Sequence, residues 1–273
     1  MRLRHRNSAD LQLAVHRLRS RIPLVNSNDD TSPALLCVTH YKAGSHWIHV
    51  ILGACVQDRI VEPQPDLGQF LTAPVRQGMV YPKLYVTREQ FDSAELPPRW
   101  RRFVVIRDLR DALVSGYFSL RVSHRRDSEE MVDDARRFSE MLDTVDLETG
   151  LRATMEQWLP TAAADIQRSW LEADDPLVRY EDLLEHDVEV LEPLLVDRCE
   201  LPVSRRLLRA AIESARFERR TGRSRGEEDV TAHERKGIAG DWRNHFSEGL
   251  KGDFKERWGD LLIATGYEQN LDW

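Results

Sequence analysis

The chain has 273 residues, with 39 Lys and Arg against 46 Asp and Glu, a formal net charge of −7. That acidic balance is the opposite of the basic footprint of a nucleic-acid coat, while 41% hydrophobic and 31% charged residues are ordinary for a folded soluble domain. Three cysteines (Cys37, Cys55, Cys199), far apart and without a CxxC pair, exclude a disulfide scaffold and a cysteine zinc site, and they predict a reducing, cytoplasmic setting.

In chain order, residues 1–33 come first. Six arginines lie between Met1 and Ile22 with no apolar stretch after them, so this is not a secretory signal. The pattern predicts a basic surface helix over Asp10 to Arg21 and a polar connector over Val25 to Pro33, with an Arg-rich presequence as the alternative. No apolar run approaches the roughly 20 residues that a membrane span requires.

Residues 34–273 read as one α/β domain. Ala34 to Thr39 is a short apolar run that predicts a buried strand. A glycine-containing turn follows, then a helical pattern through Trp47, Ile48, Ile51, Leu52 and Cys55. Phe103 to Ile106 predicts a second strand, leading into a helix through Ala112, Leu113, Tyr117, Phe118 and Leu120. Two helices, split near Asp146 to Leu151, fill the middle, with Pro160 bending or restarting the second. Pro176 to Tyr180 predicts a third strand, and amphipathic helices follow over Asp187 to Arg198 and Val203 to Ala215. Phe217 to Asp241, rich in Arg, Glu and Gly, predicts a long mobile loop. A last helix runs from about Gly249 to Thr265. Apolar strands that feed directly into helices imply a central parallel sheet flanked by helices.

Three constellations carry chemistry. At Lys42-Ala43-Gly44-Ser45-His46, a strand turns into a helix, where unpaired backbone N–H groups and the positive end of the macrodipole hold phosphate. Walker A order is absent because the lysine precedes the glycine, so the turn is P-loop-like only. A plain βα turn with a capping serine is the bland alternative. Arg107 ends a strand, where ligands of parallel sheets collect. Ser115, two helical turns on, faces the same way as Asp108 and Asp111. The pair suits a second phosphate, or else Arg107 is tied to Asp108 or Asp111 as structure. Arg235-Lys236-Gly237, followed by Gly240-Asp241-Trp242, suits a loop folding over an anion, or a solvated charge run.

Of the 39 basic residues only five are lysines, Lys42, Lys83, Lys236, Lys251 and Lys255. The bias itself is a matter of overall composition. It still singles out the retained lysines, because an ammonium and a guanidinium do different chemistry.

Taken together, residues from about Ala34 to Tyr267 resemble the sulfotransferases that use 3′-phosphoadenosine-5′-phosphosulfate (PAPS), of the cytosolic and bacterial small-molecule type. The family's Tyr-Pro-Lys-Ser-Gly-Thr-Thr-Trp is similar to Tyr41-Lys42-Ala43-Gly44-Ser45-His46-Trp47. The resemblance implies Lys42 at the bridging oxygen and sulfonate, Gly44 to His46 at the 5′-phosphate, and Trp47 at the adenine. It implies Arg107 and Ser115 at the 3′-phosphate, Tyr180 of Tyr180-Glu181-Asp182 and Phe217 about the adenine, and Arg235-Lys236-Gly237 closing over the 3′-phosphate. Gly240-Asp241-Trp242-Arg243-Asn244-His245-Phe246 is similar to the family's Gly-Asp-Trp-x-Asn-His-Phe.

The chain also departs from the pattern. The turn lacks the family's proline, and His46 replaces a threonine. Where the cytosolic enzymes have Lys-Thr-His, with the histidine as general base, this chain has Lys83-Leu84-Tyr85. A tyrosine of ordinary pKa, about 10, is a poor base at neutral pH. The family's carbohydrate enzymes use a glutamate after the first helix, and Glu62 stands similarly here. Tyr85 and Glu62 therefore rank level, with His40, His46 and His124 as further candidates. No dimer signature is recognisable at Ser247 to Glu256. The implied activity is sulfonate transfer from PAPS to a hydroxyl or amine of a small molecule, without a metal. A non-catalytic nucleotide-binding protein and a small-molecule kinase are the alternatives. Loops 63–78 and 122–149 would set the acceptor.

Overall fold

The computed structural model describes residues 31–63, 68–123, 133–172 and 175–273. The expected helix at Asp10 to Arg21, most of the connector before Pro33, and His124 lie outside these residues. Four strands form one sheet: β1 (Ala34–Thr39), β2 (Val80–Leu84), β3 (Trp100–Ile106) and β4 (Leu177–Arg179). Their order is β2-β1-β3-β4 and every pairing is parallel. The helices in chain order are α1 (Ser45–Val56), α2 (Gly68–Leu71), α3 (Arg88–Asp92), α4 (Leu109–Phe118), α5 (Asp133–Thr144) and α6 (Leu147–Gln157). They continue as α7 (Asp165–Ser169), α8 (Tyr180–Glu192), α9 (Arg205–Ala215), α10 (Phe217–Thr221) and α11 (Glu248–Ala264).

All six residues of β1 are buried, as expected of a continuous apolar run covered on both faces. Alternate side chains divide the core. Leu35 and Cys37 pack with Ile48, Ile51 and Leu52 of α1 and Leu208 and Ile212 of α9. Leu36 and Val38 pack on the opposite face with Phe70, Phe91 and Trp170. A third cluster joins α4, α6 and α11 through Leu113, Tyr117, Leu151, Met155, Phe254 and Leu261. Strand β2 contains Pro82, which breaks the apolar pattern, so periodicity does not reveal it. Its place at the sheet edge is where a proline is tolerated.

The segment from Phe217 to Asp241, expected to be a long mobile loop, is helical only at its start and otherwise a loop tied down by internal hydrogen bonds. It opens with α10, and the guanidinium of Arg223 then donates to the backbone carbonyls of Glu227, Glu234 and Arg235. Gly226 N–H donates to Lys236 O at 2.9 Å and Asp229 N–H to Arg235 O at 2.9 Å. Arginine donors here supply the carbonyl partners that an apolar packing pattern would not have revealed.

This order of strands positions the site. β1 and β3 are the central pair, with Thr39 opposite Val105, so their carboxyl ends lie side by side. The turn at Lys42 and Arg107 leave from those ends. β4 delivers Tyr180 beside them and β2 delivers Lys83 and Tyr85. Ligands of open parallel sheets gather at this edge.

Candidate functional site

One cavity of about 310 Å³ opens at the carboxyl edge of the sheet. Lys42, Gly44, Ser45, His46, Trp47, Lys83, Tyr85, Arg107, Ser115, Tyr180, Phe217, Arg235, Lys236 and Gly237 all line it. The structure thus brings together the residues that the sequence singles out from six separate stretches. Ala43, Glu62 and the fully buried His40 stand apart. The side chain of Ala43 is fully buried in the core beneath the turn, because the helix start rotates it inward. Glu62 lies outside the cavity, 78% exposed, with its carboxylate 3.7 Å from His49 Nε2.

The turn has an unusual backbone. Gly44 caps α1 at φ 88°, and Lys42 is also in the left-handed region at φ 67°. α1 begins with neither a side-chain cap nor an acidic residue in its first turn, whereas α4, α9 and α11 are capped by Asp108, Ser204 and Ser247. Its first N–H groups therefore face the cavity with the positive end of the helix dipole. A Cβ on Gly44 would lie 2.7 Å from Tyr180 Cδ2, so glycine is what lets the aromatic ring close on the turn. Gly237 repeats the arrangement at φ 64°, 2.6 Å from Phe217 Cδ2.

Arg107 ties three segments together. Its backbone N–H donates to His40 Nε2 at 3.1 Å, Nη1 to Lys42 O at 2.9 Å and Nη2 to Ile238 O at 3.4 Å. Its guanidinium lies 4.4 Å over the Tyr180 ring, and Asp111 is 4.0 Å away. The bland reading of Arg107 as a structural residue is therefore half of the answer, since it also lines the cavity. His40 must accept at Nε2, so Nδ1 carries the proton and donates to Tyr41 O at 2.9 Å. Burial lowers its pKa to about 4 and keeps it neutral.

Lys42 Nζ donates to Ser119 Oγ at 3.1 Å. Burial, then Arg107 and Arg235, lower its pKa to about 8 against the opposing pull of Glu234. Tyr85 shares a 2.8 Å hydrogen bond with Ser45 Oγ and stacks on Tyr41 with ring centroids 4.0 Å apart. Burial pushes its pKa up to about 12, so at neutral pH it holds its proton. Lys83 is likewise lowered by burial, against Glu62.

The sequence patterns missed a polar clasp at the mouth. Arg220 Nη2 donates to Glu234 at 2.8 Å and to His46 Nε2 at 3.0 Å, bridging α10, the following loop and α1. His233 lies beside it, its ring centroid 5.0 Å from that of His46. Burial, then Lys83, His233 and Arg220, lower the His46 pKa to about 4. Only the abundance of Arg and Glu in the 217–241 run hinted at this, and composition does not say which residue points inward. Among the described residues of the lining, Glu234 is the sole carboxylate, against Lys42, Lys83, Arg107, Arg220, Arg225, Arg235 and Lys236. Such a cavity takes a ligand with more than one anionic group and a flat apolar part, set between Trp47, Tyr180 and Phe217. Among the described residues no group of His, Cys, Asp and Glu is placed to hold a metal ion, and no helix is long and apolar enough to cross a membrane.

The model of the sulfotransferase domain family matches residues 32–266. Two solved structures share the fold. A mouse sulfotransferase, SULT7A1, complexed with PAP, is 16% identical with a TM-score of 0.58, over 86% of this chain and 89% of that one. Retinol dehydratase, in complex with androsterone and the inactive cofactor PAP, is 14% identical with a TM-score of 0.50, over 84% and 80%. No curated protein matches by sequence.

Proposed function

Since the chain belongs to the sulfotransferase domain family, we propose that it transfers a sulfonate group from PAPS to a hydroxyl or amine of a small molecule, releasing 3′,5′-adenosine diphosphate (PAP). The observation that carries this is the convergence of Lys42, Arg107, Ser115, Arg235 and Lys236 on one cavity beside the uncapped start of α1. The lining fits a doubly phosphorylated nucleotide in a further respect. Arg107 Nε and Trp47 Nε1 are buried without a hydrogen-bond partner among the described residues, and both residues line the cavity.

PAPS supplies an activated sulfonate on a phosphate leaving group. The N–H groups of Ser45, His46 and Trp47 would hold the 5′-phosphate, and Arg107, Ser115, Arg235 and Lys236 the 3′-phosphate. Trp47, Tyr180 and Phe217 would enclose the adenine. The Lys42 ammonium stabilises negative charge growing on the departing phosphate oxygen, an electrostatic effect that is often the largest catalytic contribution. Tyr85, protonated at neutral pH, would act as a hydrogen-bond donor at that end of the cavity and not as the base. Glu62, exposed beside His49 and outside the lining, would have to move inward to take that part; otherwise the proton freed from the acceptor would pass to water in the open cavity. The buried thiols of Cys37, Cys55 and Cys199 support a cytoplasmic setting.

The test pairs PAP titration with transfer of labelled sulfonate to a panel of hydroxyl and amine acceptors. Wild type binds PAP and labels an acceptor; Lys42→Ala still binds PAP, more weakly, and loses about 10²–10³-fold in rate at saturating PAPS. Full turnover by that variant sinks the role of Lys42. One observation favours a second reading, a nucleotide-binding protein without catalysis: Tyr85 stands where the cytosolic enzymes place a base. PAP binding with no transfer to any acceptor would select it.

A further inference from the structure

We propose that Asp241 is a positioning residue that fixes Arg235 and Lys236 in the cavity wall and so sets discrimination for a 3′-phosphate. This rests on the reading of the cavity as a PAP site. The Asp241 carboxylate is 3% exposed and gathers four donors. Arg235 Nη2 donates to it, as do Lys236 Nζ at 2.6 Å, Asn244 Nδ2 at 2.9 Å and His245 Nε2 at 3.2 Å. Both cations line the cavity.

The carboxylate is itself held from behind. Gly240 N–H donates to Asp111 Oδ2 at 2.6 Å and Trp242 N–H to Asp111 Oδ1 at 2.9 Å. The residues on either side of Asp241 are thereby pinned by their N–H groups to the first turn of α4, and Asp111 is 2% exposed. Arg110, next to Asp111, lies 4.1 Å over the Trp242 ring. The path runs from a rigid helix start, through a buried carboxylate, to two long cations that would otherwise sample many rotamers.

Two opposed effects must be weighed. A carboxylate beside Arg235 and Lys236 offsets part of their charge and competes with an incoming phosphate. It also freezes those side chains in place before the ligand arrives, which removes an ordering cost from binding. Arginine carries five N–H donors and lysine three, so each keeps donors beyond those spent on Asp241. Burial of Asp241 against four donors makes it a fixed part of the wall, and pre-organisation therefore outweighs competition. Glu228, 33% exposed, pairs with the other end of Arg235 and adds a weaker restraint.

The experiment is calorimetric titration of the full chain with PAP and with adenosine 5′-phosphate, which lacks the 3′-phosphate. Wild type prefers PAP; no preference would mean that the reading of the cavity itself fails. Asp241→Asn should weaken PAP by roughly tenfold and leave adenosine 5′-phosphate unchanged. Placed on Arg235→Ala/Lys236→Ala, the same substitution should add nothing, because Asp241 acts through those two side chains. Equal losses for both ligands, an additive effect in that background, or tighter PAP binding would each overturn the proposal. Should Asp241→Asn not fold, Asp241→Glu decides, since it keeps the charge and shifts the carboxylate by one methylene: a loss of several-fold for PAP alone supports the proposal, and unchanged or tighter PAP binding overturns it.

Discussion

The Lys42 ammonium lies 3.1 Å from the Ser119 hydroxyl, one helical turn beyond the Ser115 that lines the same wall. A lysine drawn into a buried hydroxyl contact, with Arg107 and Arg235 near enough to repel it, is held at a pKa of about 8. A phosphate ligand favours the charged form and raises that value in the complex. The charged form prevails below the free-state pKa, so affinity is highest near pH 7, declines as pH rises through 8 and falls further above it. The ligand's own phosphates, with a second pKa near 6, are already dianionic there. Titration at pH 8.5 in buffers of different ionisation enthalpy should show proton uptake on PAP binding. Lys42→Met should abolish that uptake. Affinity that climbs from pH 8 to 9 would contradict this placement.

Two of the left-handed glycines, Gly44 and Gly222, make a sharper test of geometry. Gly44→Ala sets a methyl group 2.7 Å from the Tyr180 ring, on top of a left-handed strain of about 1–2 kcal/mol. PAP binding should weaken about tenfold or more, since both the turn and the ring must shift. Gly222 has φ 73° with nothing within 4 Å of where a methyl group would stand, so Gly222→Ala carries the strain alone. It should lower the unfolding midpoint slightly and leave PAP affinity as it is. Equal effects of the two substitutions on PAP affinity would show that the Tyr180 contact is unimportant.

Tyr85→Phe separates a donor from a base. Because burial holds the phenol near 12, its loss should slow transfer by roughly tenfold, the scale of one hydrogen bond of about 1.4 kcal/mol. The pH profile of kcat/KM should keep its shape. Loss of a basic limb in the variant would restore Tyr85 as the proton acceptor.

Much of this site was readable in the sequence, and the reason is local. A strand, a glycine turn and a helix start lie within fifteen residues, and Arg107 with Ser115 within nine, so each motif carries its own geometry. The parallel order of β1, β3 and β4 follows from apolar runs that feed into helices. What escaped depends on distant partners. The Arg220–Glu234–His46 clasp joins positions 174 residues apart in the chain, and no periodicity marks it. The same holds for the tied-down 217–241 segment, where Arg223 on backbone carbonyls replaces apolar packing. Glu62 and Tyr85 ranked level by sequence because chain distance does not say which side chain faces the cavity. Strand β2 was hidden by Pro82.

Arg110 shows how the α4 end of the site contributes to stability. Its side chain is 1% exposed, with Nε and Nη2 on Asp108 and Nη1 2.6 Å from Glu268. Its guanidinium lies against both Trp242 at 4.1 Å and Trp273 at 4.3 Å, two rings that meet edge-on. Asp108 is also the cap of α4, accepting from the Arg110 N–H at 2.9 Å. Arg110→Met keeps the apolar bulk but leaves two carboxylates, one of them buried, without their cation. Removing one partner of a buried pair typically costs about 3–5 kcal/mol, whereas an exposed pair contributes about 0–1 kcal/mol. Arg168 and Asp260, 45% and 64% exposed at 2.8 Å, provide the exposed comparison. In urea, Arg110→Met should show a large drop in midpoint and Arg168→Met almost none. Similar drops for both would mean that the buried guanidinium is no more than another surface contact.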